Sequence, residues 1–149
     1  MPRPSPHRLD PAHYPARETV QTRYQDLDAM GHINNVAFAA MFENARVRFN
    51  HAVGRPDEGD GFRAVVARNE INYLAEGSYP ADVEIATGVG RIGTRSWELL
   101  AVMHQDGRAI ATCDTTIVMT HPSAGSIPDA FRQRLAAMRM ADDPAGAQA

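Results

Sequence analysis

Asp28 is a carboxylate of the kind that can attack an electrophilic carbon or deprotonate a water, and it stands just ahead of Gly31-His32-Ile33-Asn34-Asn35. Aspartate is also common as a turn or cap residue. Asp28 lies too far before an Asn-initiated helix to be its cap, which favours the chemical reading. Asp26, two residues earlier, is the fallback base, and its expected work is a hydrogen bond shaping the turn into the helix. Asp26, Asp28 and Gly31 together imitate the start of a calcium loop. The imitation fails, because Met30 and Ala37 fall where that loop needs oxygen ligands.

Asn34 suits a helix N-cap, its side chain accepting a free N–H of the first turn, with contact to a substrate as the other reading. Glu43 falls in the middle of an apolar helix, so it must either pair with a nearby arginine or face a cavity. His7, His13, His51, His104 and His121 have no ligand spacing, and no metal site is expected. Cys113 is the only cysteine and sits in an apolar, Thr-rich stretch. That excludes an internal disulfide and suits a reduced interior thiol.

All 15 basic residues are arginine, so Schiff-base chemistry and a phosphate-loop lysine are excluded. A net charge of -3 gives no general basic field for nucleic acid or an anionic membrane. The N-terminus has no apolar signal region and the longest apolar run, Val36 to Phe42, cannot span a bilayer, so a cytoplasmic location is expected.

A chain of 149 residues with 44% hydrophobic content suits one domain. Residues 1–16 are proline-rich and aperiodic and 141–149 are small and polar, so both read as flexible arms around a domain at 17–140. Alternation over Thr19–Tyr24 predicts a strand with Val20, Thr22 and Tyr24 on one face. From Asn34 to His51 there is neither Gly nor Pro, and Phe38, Met41, Phe42, Ala45 and Phe49 recur at helical steps. This predicts one long helix, apolar nearly all round and therefore buried. Strands follow at 62–74, 82–89, 96–105 and 108–119, the last two joined by Asp106-Gly107, a type I′ hairpin signal. A short helix from Pro128 to Met140 completes an α+β order.

The run Arg23-Tyr24-Gln25-Asp26-Leu27-Asp28-Ala29-Met30-Gly31-His32-Ile33-Asn34-Asn35-Val36-Ala37-Phe38, continuing to Phe42-Glu43-Asn44-Ala45-Arg46, resembles the signature of 4-hydroxybenzoyl-CoA thioesterase-like hotdog proteins. The resemblance implies a curled antiparallel sheet of about five strands around one central helix, dimerising through the sheet, with sites at the dimer interface. A homotetramer stays open. The implied activity is hydrolysis of an acyl-CoA thioester with no cofactor beyond the substrate's own coenzyme A. An acyl carrier protein thioester is the alternative, and a non-catalytic acyl-CoA binder is another.

By position the family's catalytic aspartate corresponds to Asp28, and the helix-start N–H that polarises the carbonyl to Asn35. Gly31 and Asn34 belong to the same segment and are assigned to the substrate. His32 matches a histidine of the carrier-protein relatives, but Met30 replaces their asparagine, leaving His32 between an orienting and a catalytic role. Glu43 is the supporting carboxylate. Arg91 and Arg95, bracketing the third turn, are candidates for coenzyme A phosphates, and Ser96 for the thioester's surroundings. Phe38, Phe42, Phe62, Tyr73 and Trp97 would set the depth of the acyl cavity.

Overall fold

Five antiparallel strands and one long helix follow from this patterning in the computed structural model, which describes residues 3–120 and 125–145. The strands are β1 (Ala16–Val20), β2 (Ala64–Tyr73), β3 (Val83–Ile92), β4 (Ser96–Gln105) and β5 (Arg108–Met119), in the sheet order β1-β3-β4-β5-β2. The helices are α1 (Pro6–Leu9), α2 (Asn35–Ala52) and α3 (Asp129–Ala137). Asp106 and Gly107 have φ of 51° and 74°, the two positive values a type I′ turn requires between β4 and β5.

Phe38, Met41, Phe42, Ala45 and Phe49 form the buried face of α2. Against it, Val83, Ile85, Met103, Ala111 and Cys113 form one core cluster. A second cluster joins Phe49 to Phe62, Trp97, Ile117, Phe131 and Leu135 and anchors α3. Each large side chain so buried contributes roughly 1.5–3 kcal/mol. These contacts hold α2 on the sheet.

The helix differs from expectation in its burial. Val36 and Val47 are 69% and 58% exposed, and Glu43 lies on the same open side. One sheet can cover only one side of a helix, so the remaining apolar stripe is left open in the single chain. Edge strand β2 likewise exposes Val65 and Val66.

The first strand also differs. It ends at Val20, and Tyr24 opens a 3-10 turn, Tyr24–Asp26, instead of extending the strand. The Asp26 carboxylate accepts the Arg23 backbone N–H at 2.8 Å and pulls the chain into that turn. Tyr24 is thereby left 75% exposed, while Thr22 is buried and donates to the Ala81 carbonyl.

The N-terminal segment, read as a flexible arm, is packed from α1 onward. Tyr14 joins Ala86, Val102 and Met140 on the sheet face opposite α2, Arg8 pairs with Asp114, and Ala141 N–H donates to the His13 carbonyl. Apolar strand residues on that face need a cover, and the two ends of the domain supply it. His121 lies outside the described residues. No helix among the described residues is long and apolar enough to cross a membrane.

Candidate active site

The loop from Leu27 to Ile33 is shaped by Asp28. Its Oδ1 accepts the backbone N–H groups of Met30 and His32 at 2.9 and 3.2 Å. Asp28 N–H donates to the His32 carbonyl, Gly31 N–H donates to the Asp28 carbonyl, and Leu27 bridges to Ile33. The tight return needs φ of 81° at Gly31, where only glycine is unstrained. Asp28 is therefore a turn-former. Both of its bonds fall on Oδ1, so Oδ2 has no protein donor among the described residues.

Asp26 ties the loop to the strand before it. It is buried, which pushes its carboxyl up, but the Arg23 side chain and backbone N–H outweigh burial and hold it below the ordinary carboxylate range. Its backbone carbonyl accepts Asn34 N–H at 2.8 Å, setting the entry into α2. Asn34 is the N-cap, its Oδ1 accepting Val36 N–H at 2.9 Å. Asn35 opens the helix, and as a first-turn amide its N–H has no intrahelical acceptor. The positive end of the helix dipole adds to that donor.

Asp28, His32, Ile33, Asn35, Phe38, Tyr73 and Glu76 border an open cleft of about 460 Å³. Phe38 and Tyr73 meet edge to face at 5.5 Å, and the Tyr73 hydroxyl donates to the Asn35 carbonyl at 3.3 Å. His32 Nε2 lies 3.1 Å from Glu76 Oε2. Behind this pair is a polar pocket of about 470 Å³ containing Ser78, Gln105, Asp106 and Arg108. One cleft thus joins a carboxylate, a helix-start amide, an imidazole and an aromatic wall. A separate cavity of about 250 Å³ between β1 and α2 has Glu18 and Arg48 paired at 2.6 Å and Arg17 paired with Glu84 at 3.5 Å, so each of its charges already has a partner.

Other residues singled out from the sequence lie elsewhere. Glu43 is exposed and pairs with Arg46 at 3.5 Å, outside the cleft of its own protomer. Arg91, Arg95 and Ser96 sit at the β3–β4 turn, the far end of a ten-residue strand. That is roughly 30 Å from the Asp28 loop at the usual strand rise. Arg91 N–H donates to Glu98, Arg95 donates to the Met119 carbonyl, and the Ser96 carbonyl accepts Gly93 N–H. Of the aromatic residues expected to set cavity depth, Phe38 and Tyr73 line the cleft, while Phe62 and Trp97 pack against Phe131 in the core.

Glu76 escaped the sequence reading. Its signal is slight: one acid between a strand's end and Gly77. Among the described residues no group of three or more His, Cys, Asp or Glu is arranged to hold a metal ion.

The curled five-stranded antiparallel sheet with few helices matches that of hotdog-like thioesterases of known structure. Residues 22–135 match the model of the thioesterase-like superfamily, and the chain belongs to that family. The PA5185 protein from Pseudomonas aeruginosa strain PAO1 is 26% identical, with 91% of this chain and 98% of that one covered and a TM-score of 0.79. A thioesterase from Thermus thermophilus, complexed with coenzyme A and Zn, is 28% identical over 85% of this chain and 95% of that one, with a TM-score of 0.75. The BH1999 gentisyl-coenzyme A thioesterase, 19% identical over 81% of this chain and 99% of that one, shares the fold with a TM-score of 0.71. No curated protein matches the chain. Family and neighbours support thioester hydrolysis.

Proposed function

We propose that the protein hydrolyses an acyl-CoA thioester to the free acid and coenzyme A, with Asp28 as the acting carboxylate. The observation that carries this is the single cleft bordered by Asp28, Asn35 at the helix start, and the Phe38–Tyr73 wall. The acyl group lies along the aromatic wall with its carbonyl oxygen toward the Asn35 N–H. Water adds to the carbonyl carbon as Asp28 takes its proton, and the charge gathered on oxygen is met by the helix-start amide. A donor aimed in this way contributes roughly 3 kcal/mol to the transition state. The C–S bond then breaks, and the proton held by Asp28 passes to the departing sulfur. Coenzyme A enters as part of the substrate, and the Thermus relative, solved with coenzyme A, supports that thiol.

The active form in this reading is a homodimer joined through β2. The unpaired edge, the exposed Val65 and Val66 and the open Val36–Val47 stripe of α2 support it. Antiparallel pairing of two β2 strands sets the Tyr73 end of one against the Ala64 end of the other. Ala64 pairs with Met119, to which Arg95 is bonded. The arginine-bearing end of one sheet then flanks the Asp28 cleft of its neighbour, which is the role left for Arg91, Arg95 and Ser96.

The test is thiol release from a panel of aliphatic and aromatic acyl-CoAs by the wild type and Asp28→Asn. Release by the wild type alone supports the reading. Tight acyl-CoA binding with no release from any member would make the protein a binder instead.

A further inference from the structure

The His32–Glu76 pair forms the wall between the acyl cleft and the polar pocket, since both residues border both spaces. An exposed ion pair on its own is worth little. Here the backbone holds the partners together. Ile33, next to His32, donates its N–H to the carbonyl of Gly77, next to Glu76, at 2.9 Å. A side chain at Gly77 would bring its Cβ to 2.7 Å from Ile33 Cδ1, so the Ile33 side chain would have to shift to admit one. On one side the His32 N–H is fixed by Asp28 Oδ1. On the other, Leu74 and Ala75 both donate to the Ile110 carbonyl, and Arg108 donates to the Glu76 carbonyl at 3.5 Å. A shift of either segment would break these bonds.

A carboxylate only accepts hydrogen bonds, so its place beside Nε2 puts an imidazole proton there, and in the neutral ring Nδ1 is then a lone pair. We infer that Glu76 is a positioning residue for the hydrolysis, selecting the His32 tautomer whose Nδ1 accepts a hydrogen bond from the attacking water. This rests on the thioesterase reading above. One water proton goes to Asp28 and the other hydrogen is held by His32 Nδ1, which aims the oxygen lone pair at the carbonyl carbon. The other charged groups facing the pair are Asp28 in the cleft and Asp106 and Arg108 in the pocket.

The experiment combines ¹⁵N NMR of the His32 ring with kinetics on the full chain. The wild type should show His32 protonated at Nε2, and Glu76→Ala should show a mixture of tautomers. Glu76→Ala should lower kcat by up to about 10-fold, through loss of the ring's orientation as well as of its tautomer, with KM within about twofold and Glu76→Gln recovering part of the loss. In a His32→Gln background, Glu76→Ala should cost nothing further. An unchanged tautomer in Glu76→Ala, an unchanged kcat, or an equal loss in the His32→Gln background would overturn the assignment. A wild type that releases no thiol would fail the hydrolase reading instead, and the NMR arm would still decide whether Glu76 sets the tautomer.

Discussion

Asp28 has one job in the loop and one proposed in hydrolysis, and a pair of substitutions can separate them. Its Oδ1 closes the loop by accepting two backbone N–H groups, while Oδ2, with no protein donor among the described residues, is the oxygen we propose for the chemistry. Asp28→Ala removes both bonds. At about 1 kcal/mol net for each, it should cost about 2 kcal/mol of stability, or roughly 6 °C in Tm for a chain of 149 residues. Asp28→Asn keeps an amide oxygen where Oδ1 stood, so both N–H groups stay satisfied and the cost should be under about 1 kcal/mol. The amide cannot take a proton from water, and loss of a general base costs about 10²- to 10⁴-fold in rate. The assays are thermal unfolding followed by circular dichroism and thiol release from the best acyl-CoA. Both variants should lose activity while only Asp28→Ala loses stability. An Asp28→Asn variant with wild-type kcat would refute the catalytic role. One as unstable as Asp28→Ala would refute the division of labour between the two oxygens.

Asn34→Ala removes the N-cap bond to Val36 and should cost about 1 kcal/mol, read from urea denaturation. Asp26 predicts the acid limb of stability. Its carboxyl is held below its ordinary value by Arg23, so it binds fewer protons folded than unfolded, and its stabilisation is present above the ordinary carboxylate range. That contribution is lost as pH falls below about 4 and through the lowered value. Asp26→Asn should flatten this part of a stability–pH curve, and an unchanged limb would show that Asp26 does not contribute to it. Val66→Arg places a charge on the exposed edge strand and should convert the proposed β2-joined dimer to monomer in light scattering, with the wild-type mass as the reference. A variant of unchanged mass would move the interface elsewhere.

What could be read from the sequence was what local chemistry decides. The bounds of β4 and β5 follow from the Asp106-Gly107 turn, and the start of α2 follows from an asparagine able to cap it. The misread parts depend on partners distant in sequence or on the shape of the sheet. Alternation from Thr19 to Tyr24 suits a strand, but the Arg23–Asp26 bond ends it early, and period alone does not weigh a side-chain cap against a ladder. The α2 circumference is apolar, yet one sheet buries only the Phe38–Phe49 face. A proline-rich start looks unstructured until the face opposite α2 is seen to need Tyr14. The site divides along the same line. Asp28, His32 and Asn35 lie within eight residues and could be found together, whereas Glu76 reaches His32 only through the Ile33–Gly77 contact between two loops. A motif scan finds the carboxylate. The residue argued to set the histidine's tautomer becomes visible only once the chain is folded.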